Sequence, residues 1–276
     1  MKASKALKHD TRWIFIKKGT CSRTFFYILN RDFGHPMEME ERAIDPMAGG
    51  IMQQGYQCGM IWGASMAAGA EAFRSCGDCH KAAALTIKTT QHIIESFKDR
   101  AKTDDCYDFT SVDWTNKRET RNYMISGKFL KCYKLADKWA PDAIAAAREG
   151  LSHDYNELPG EVISCASEVV KKMGASDAEM AMVSGFAGGL GLSGNACGAL
   201  AAAIWMNSLK WCRENPGKSG YKNPGANETL EAFLNATDYE FPCTKISGRR
   251  FNSIQEHSEF IKSGGCHELI EKLASA

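Results

Sequence analysis

Residues 48–59, AGGIMQQGYQCG, and residues 187–198, AGGLGLSGNACG, are two copies of one pattern, A-G-G-[IL]-x-x-x-G-x-x-C-G. The copies lie 139 residues apart, which is almost half of the 276-residue chain. A repeat over such a distance is the sequence signature of a duplicated structural unit. Because glycine and alanine are common in this chain, the match needs support from other positions.

Three further cysteines in each half recur in the same order around this pattern. The first half contains Cys21, Cys58, Cys106 and Cys132, and the second half contains Cys165, Cys197, Cys243 and Cys266. Cys132 and Cys266 are each followed by leucine at +3, lysine at +6 and alanine at +8. Cys106 and Cys243 each have large apolar residues at +3, +8 and +17. Four cysteines in one order with matching neighbours predict an internal duplication.

The segments that follow the two glycine-rich stretches favour helices. Residues 58–73 and 197–212 are rich in Ala, Met, Leu and Trp and contain no proline. Residues 81–98 and 227–235 read as helices at equivalent places in the two halves. The alternation typical of strands is scarce, and Trp13–Ile16 is the best candidate for a short strand.

These patterns predict an all-α protein with two homologous helical modules. We place the first module at residues 1–145 and the second at residues 146–276, related by a pseudo-twofold axis. In the second module, Pro159 is expected in the first turn of the helix that contains Cys165.

The composition is that of a folded globular protein, with 44% hydrophobic and 24% charged residues. The formal net charge is +1, so the chain lacks the surplus of positive charge on which nucleic-acid binding relies. We find no apolar stretch long enough to span a bilayer and no secretory signal. We therefore expect a cytoplasmic protein with no nucleic-acid partner and no membrane span. In a reducing compartment, eleven cysteines more often serve metal or redox chemistry than disulfides.

In each half, one cysteine follows a glycine-rich turn and begins a predicted helix. Because a helix N-terminus stabilises a thiolate, we expect a lowered thiol pKa at Cys58 and Cys197. Glycines in the turn let the backbone approach closely and aim N–H groups at a sulfur or an anionic cofactor. The alternative is that the glycines serve helix packing and the cysteines are small core residues. The candidate cofactor-binding glycines are Gly49, Gly50, Gly55, Gly59, Gly188, Gly189, Gly194 and Gly198.

The four repeated cysteines of each half are the candidate metal ligands. Four thiolates supply either a tetrahedral zinc site or an iron–sulfur cluster. Their long spacings match neither a zinc ribbon nor a ferredoxin run, so the ligands would come from separate helices and loops. The same cysteines also permit two disulfides or a reactive dithiol pair in each module. The spacing does not choose between these chemistries.

One short motif, Cys76-Gly77-Asp78-Cys79-His80, matches the haem c attachment sequence C-x-x-C-H. Haem attachment takes place outside the cytoplasm, and the second half does not repeat the motif. We therefore expect a dithiol or an accidental match at Cys76, Cys79 and His80 rather than haem c. No phosphate-binding glycine motif is present, so nucleotide binding has no support.

The cysteines and glycines resemble those of the redox-active family named for its C…GCAxxG…C…C signature. The resemblance is closest from Ser164 to Leu273 and weaker over about residues 20–140. Each copy departs from C-G-A-x-x-G once: Met60 replaces the alanine in the first copy, and Ala202 replaces the last glycine in the second. A similar module occurs in split-Soret-type cytochromes, where it looks like an iron–sulfur site beside haem. The resemblance therefore implies an iron–sulfur cluster as the cofactor.

The resulting hypothesis is a redox protein with one four-cysteine iron–sulfur or other metal site in each module, for electron transfer or redox sensing. Two alternatives remain open. One is a thiol–disulfide oxidoreductase or thiol sensor without metal, and the other is a protein with purely structural zinc. The expected partner is an unidentified redox protein, and a homodimer stays open. The residues do not decide whether the chain is an enzyme.

Overall fold

The computed structural model describes residues 7–276, with side chains from residue 11 onward. This part of the chain forms fifteen α-helices and three short 3₁₀ turns, and it contains no strand. Two isolated β-bridges join Gln57 to Asp105 and Ala196 to Pro242. The all-α prediction is confirmed. The expected strand at Trp13–Ile16 is wrong, because these residues lie inside the first helix.

The first half of the chain contributes eight helices. They are α1 (Leu7–Lys18), α2 (Cys21–Asp32), α3 (Glu38–Ala43), α4 (Gly59–Cys76), α5 (Cys79–Ala101), α6 (Cys106–Thr110), α7 (Lys117–Ile125) and α8 (Leu130–Leu151). Helix α8 contains Pro141 and continues through the predicted module boundary after residue 145.

The second half contributes seven helices in the order of α2 to α8, so α1 has no counterpart there. They are α9 (Cys165–Lys172), α10 (Asp177–Val183), α11 (Gly198–Glu214), α12 (Pro224–Ala236), α13 (Cys243–Ser247), α14 (Ile254–Lys262) and α15 (His267–Ala274). A 3₁₀ turn precedes the glycine-rich loop in both halves, at Asp45–Met47 and Ser184–Phe186. A third 3₁₀ turn, Gly220–Lys222, follows α11. The shared order of elements confirms the duplication.

Helix α9 begins at Cys165, so the expected helix start at Pro159 is wrong. Ser164 caps the helix: its side chain accepts a hydrogen bond from the Ser167 N–H, and Ser167 bonds back to Ser164. The residue before the cap is held outside the helix, because the Ile163 N–H donates to the Ser258 hydroxyl at 3.0 Å.

The two halves of the chain pack against each other and share one hydrophobic core. Helix α4 of the first half packs against α10 of the second, and α11 of the second packs against α3 of the first. Reciprocal contacts of this kind are what a twofold relation between equivalent units produces. Trp62 on α4 meets Phe186 edge-on, with ring centroids 4.8 Å apart, and both side chains are fully buried. The main hydrophobic cluster therefore includes residues of both halves.

Gln57 marks the pseudo-twofold axis. Its buried side-chain amide donates to the Gly189 carbonyl at 2.8 Å and to the Ser193 hydroxyl at 3.0 Å. Its carbonyl oxygen accepts a hydrogen bond from the Ala196 N–H at 3.2 Å. Gln57 and Ala196 hold the same position in the two copies of the repeated pattern, so each copy meets the other at the axis.

Candidate functional site

The four repeated cysteines of the first half line one cavity of about 360 Å³, which we call the first centre. They come from four separate segments. Cys21 begins α2, Cys58 is the N-cap of α4, Cys106 begins α6, and Cys132 lies in the first turn of α8. All four are free thiols. The structure thus brings together the residues that the sequence predicts as ligands, and their binding of a metal stays a prediction.

Cys21 and Cys58 form a hydrogen-bonded pair. The Cys58 thiol and the N–H groups of Gly49 and Ser22 donate to the Cys21 sulfur, and these bonds lower the pKa of Cys21 despite its burial. The same pairing, together with burial, raises the pKa of Cys58. Gly59 makes this approach possible, since a Cβ there would lie 2.6 Å from the Cys21 sulfur. Cys21 is therefore the thiol of the first centre that favours the thiolate.

The other two thiols lie beside aromatic side chains. Burial raises the pKa of Cys132 to about 11, and the Tyr123 hydroxyl, 3.5 Å from its sulfur, opposes this only in part. Burial also raises the pKa of Cys106, against a smaller opposing effect of the nearby Trp114 indole. The Trp114 N–H is buried but makes no hydrogen bond of acceptable geometry. The large residues at +8 and +17 from Cys106 thus belong to the site.

The remaining walls of the first cavity are mostly apolar and aromatic, and no charged side chain lines it. Phe15 comes from α1 and Tyr221 comes from the 3₁₀ turn of the second half. Sequence reasoning missed both residues, because neither segment belongs to the repeat that revealed the cysteines. Apart from these two, the aromatic and methionine residues of the walls are Met60, Phe109, Trp114, Tyr123, Met124, Phe129 and Tyr133.

The second half builds an equivalent but closed centre. Its four cysteines line a cavity of about 20 Å³, and the side chains of Phe251, His257 and Phe260 line the same space. Cys266 also borders an open cleft of about 780 Å³. The ligand candidates of this second centre are Cys165 at the start of α9, Cys197 at the N-cap of α11, Cys243 at the start of α13, and Cys266 immediately before α15.

Burial dominates the electrostatics of the second centre. It raises the pKa of Cys197 to about 12, although the N–H groups of Leu200 and Ala199 donate to this sulfur. It also raises the pKa of Cys165, Cys243 and Cys266. The expected lowering of the thiol pKa at the helix starts is therefore wrong for Cys197, and for Cys58 as well. A helix N-terminus does not compensate for the removal of a thiolate from water at these positions.

Six of the eight predicted glycines lie in the two loops that lead to α4 and α11, and Gly59 and Gly198 are the first residues of these helices. Gly49 donates its N–H to Cys21, and Gly188 donates to Cys165 at the equivalent position. At Gly198 a Cβ would overlap the carbonyl oxygen of Phe186, so this glycine serves close packing. The other four predicted glycines, all at positive φ, are Gly50, Gly55, Gly189 and Gly194. A role of these residues in cofactor binding stays a prediction.

The C-x-x-C-H motif lies between helices and away from both centres. Cys76 ends α4, Asp78 caps α5, and Cys79 begins α5. Neither cysteine lines the cavity of a four-cysteine centre. The His80 ring nitrogen Nδ1 lies 3.1 Å from the carbonyl oxygen of Val162. The expectation that haem c does not bind here stays a prediction.

The two centres differ in how well they fit a metal cofactor. Within residues 7–276, no group of three or more His, Cys, Asp or Glu side chains is already spaced as a metal site. The donor set of four thiols nevertheless suits zinc or an iron–sulfur cluster in both centres. The first cavity also has room for a cluster. The second has space for little more than one small species, so a cluster does not fit its present side-chain arrangement.

Fold and site together define a duplicated, all-helical protein with four buried or half-buried cysteines in each repeat. The model of the family described as "Putative redox-active protein (C_GCAxxG_C_C)" matches residues 20–142 and 162–276. The chain belongs to this family and contains its module twice. A search of curated proteins and a search of solved structures each found no match. In residues 7–276, no helix combines the length and hydrophobicity needed to cross a membrane.

Proposed function

We propose that this redox-active protein transfers electrons or senses redox state through an iron–sulfur cluster held by Cys21, Cys58, Cys106 and Cys132. The observation that carries the proposal is that these four thiols, from four separate segments, line one cavity with room for a cofactor. Four thiolates are the usual ligands of such clusters. When bound, a cluster supplies reversible one-electron chemistry.

The side chains of the first centre can tune a bound cofactor. The Tyr123 hydroxyl lies 3.5 Å from the Cys132 sulfur, and the Trp114 N–H lies buried beside Cys106. Hydrogen bonds to sulfur and exclusion of solvent are among the features that set the potential of a cluster. The apolar walls exclude water, and these two donors supply hydrogen bonds.

For the second centre we propose a single metal ion on Cys165, Cys197, Cys243 and Cys266. A tetrahedral ion with four sulfur ligands at about 2.3 Å fills the space between the sulfurs and needs no larger cavity. The cavity of about 20 Å³ supports this choice over a cluster. Zinc with a purely structural role is the simplest ion of this kind.

A thiol–disulfide function without metal is the second candidate, because Cys21 and Cys58 form a hydrogen-bonded pair. Their contact lowers the pKa of Cys21, and a thiolate is the species that attacks a disulfide. Cys58 lies where a resolving thiol would act. All eleven cysteines are free, in keeping with a reducing, cytoplasmic compartment.

Anaerobic purification followed by visible spectroscopy and analysis of iron, sulfide and zinc tests the proposal. Cys58 and Cys76 lie at opposite ends of α4, so Cys58→Ser and Cys76→Ser form a matched pair. We expect a broad sulfur-to-iron charge-transfer band in the wild type and in Cys76→Ser, and its loss in Cys58→Ser. A colourless, metal-free protein whose Cys21 and Cys58 oxidise to one disulfide would establish the second candidate instead.

A further inference from the structure

The cavity of the first centre is much larger than four cysteines require. The equivalent cysteines of the second centre enclose about 20 Å³, whereas those of the first border about 360 Å³. The surrounding walls therefore create most of the space. We propose that the outer part of this cavity binds an uncharged, planar aromatic molecule, in contact with the first centre.

The walls select an uncharged aromatic ligand. Aromatic rings from α1, α7 and the start of α8 surround the cavity, and its volume lies in the range of small-molecule sites. No charged side chain lines it. Lys131 lies over the outer face of Phe109 and donates to the Phe109 carbonyl, so its ammonium is already engaged. A charged ligand would bury its charge without a partner, which is costly.

The cavity also has an accessible rim. Met124 on α7 is 48% exposed and Tyr221 is 38% exposed, and both side chains line the cavity. Cys58 and Cys106 are buried at its inner wall. A molecule that enters past the rim thus approaches the sulfurs directly. Binding of the aromatic molecule depends on the cavity alone. Its role in electron transfer rests on the proposed function.

Calorimetric titration of the full chain with 2-naphthol tests the inference, and 2-naphthoate serves as the charged comparison. We expect one saturable site for 2-naphthol and at least about tenfold weaker binding of 2-naphthoate, because the carboxylate finds no cation in the walls.

Met124→Lys and Ile125→Lys form the matched pair for the location of the site. The two residues are adjacent on α7 and both exposed, but Met124 lines the cavity and Ile125 does not. A lysine at position 124 supplies the missing cation, so 2-naphthoate should bind about tenfold more tightly than to the wild type. Ile125→Lys should leave both affinities unchanged.

Three results would overturn the inference: no saturable binding of 2-naphthol, equal affinity for both compounds, or equal effects of the two lysine substitutions. Iron and sulfide analysis of the same preparations separates this inference from the proposed function. Protein with a cluster but no 2-naphthol site refutes the inference alone. Metal-free protein that binds 2-naphthol supports the inference and refutes the cluster.

Discussion

At the scale of single residues, substitution distinguishes a cysteine that binds metal from one that only packs in the core. Cys197 and Cys212 form the best pair for this comparison. Both are buried, and they lie at the N-cap and near the end of α11. Serine keeps nearly the same volume, so packing alone should cost less than about 1.5 kcal/mol at either position. We expect Cys197→Ser to lose the metal of the second centre, together with the stability that metal binding contributes. Metal analysis and thermal unfolding of both variants provide the measurement.

Cys212→Ser is the control, because Cys212 lines neither four-cysteine cavity and its thiol donates to the Lys218 carbonyl at 3.8 Å. Its metal content should equal that of the wild type. The same metal content in both variants would mean that the repeated cysteines of the second half are structural.

His257 makes stability depend on pH. Burial lowers its pKa to about 4, below the ordinary value of 6.5, so the folded protein keeps this ring neutral. As the pH falls below 6.5, the unfolded chain takes up the proton first. Stability is therefore complete above about pH 6.5 and declines toward pH 4, by up to about 3 kcal/mol.

His257→Leu should remove this part of the decline, because leucine has no proton to bind. The ring nitrogen Nδ1 has no hydrogen-bond partner, so the substitution leaves no polar group unpaired there. Urea unfolding of both proteins at pH 7.0, 5.5 and 4.5 gives the two free-energy profiles. Parallel profiles would show that His257 does not contribute to the pH dependence.

At the scale of elements, the close contact of α2 with α4 depends on Gly63. A Cβ at this position would overlap the carbonyl oxygen of Ser22, which belongs to the backbone of α2. Gly63→Ala should therefore force the helices apart and lower the free energy of unfolding by about 3 kcal/mol. Chemical denaturation followed by circular dichroism measures the change.

The equivalent residue of α11 is Ala202, so the second half already accommodates a methyl group at this place. Ala202→Gly is the reciprocal variant and should cost about 1 kcal/mol, the ordinary penalty of glycine inside a helix. A smaller loss for Gly63→Ala than for Ala202→Gly would contradict the role of Gly63 in the helix contact.

The elements also show how far the sequence predicts the structure. The repeated pattern locates the starts of α4 and α11, because a glycine-rich turn followed by Ala and Leu is a local signal. It fails at α9, where the side chains of Ser164 and Ser258 fix the start and leave Pro159 outside. The segment Trp13–Ile16 has the alternation of a strand, but tertiary packing of α1 against α8 makes it helical.

The sequence likewise predicts some properties of the candidate sites and misses others. The order of the cysteines predicts which four come together in each half, because in a duplicated fold the matching residues of the two halves occupy matching positions. It does not predict their pKa values, since burial depends on the complete core. It also does not predict that one centre is open and the other closed. Trp114 and Phe251 are both large and apolar in the sequence, and only the structure shows that Trp114 lines the larger cavity whereas Phe251 lines the smaller one.

At the scale of the whole molecule, Gln57 connects the two halves. Gln57→Ala would leave the Ala196 N–H without its partner in a buried place, and the Gly189 carbonyl would lose one of its donors. We expect a loss of about 2–4 kcal/mol and a single unfolding transition, because both halves share one core. Fluorescence and circular dichroism recorded during denaturation should give coincident curves.

Gln54→Ala is the matched control in the same loop. The Gln54 side chain makes only a long hydrogen bond, 3.4 Å, to the carbonyl of Met52. Its removal should change stability by no more than about 0.5 kcal/mol. Separate transitions for the two probes in either variant would show that the halves fold independently.

The asymmetric pairing at the axis has a consequence for the history of the chain. In a symmetric dimer of identical modules, position 57 of one copy would face an identical residue in the other. In this chain position 196 is alanine, so one glutamine side chain enters the axis and meets the backbone of the other copy. Once both modules were covalently one chain, each could mutate without changing the other. The same freedom allows the two pockets to differ in size, at about 360 and 20 Å³.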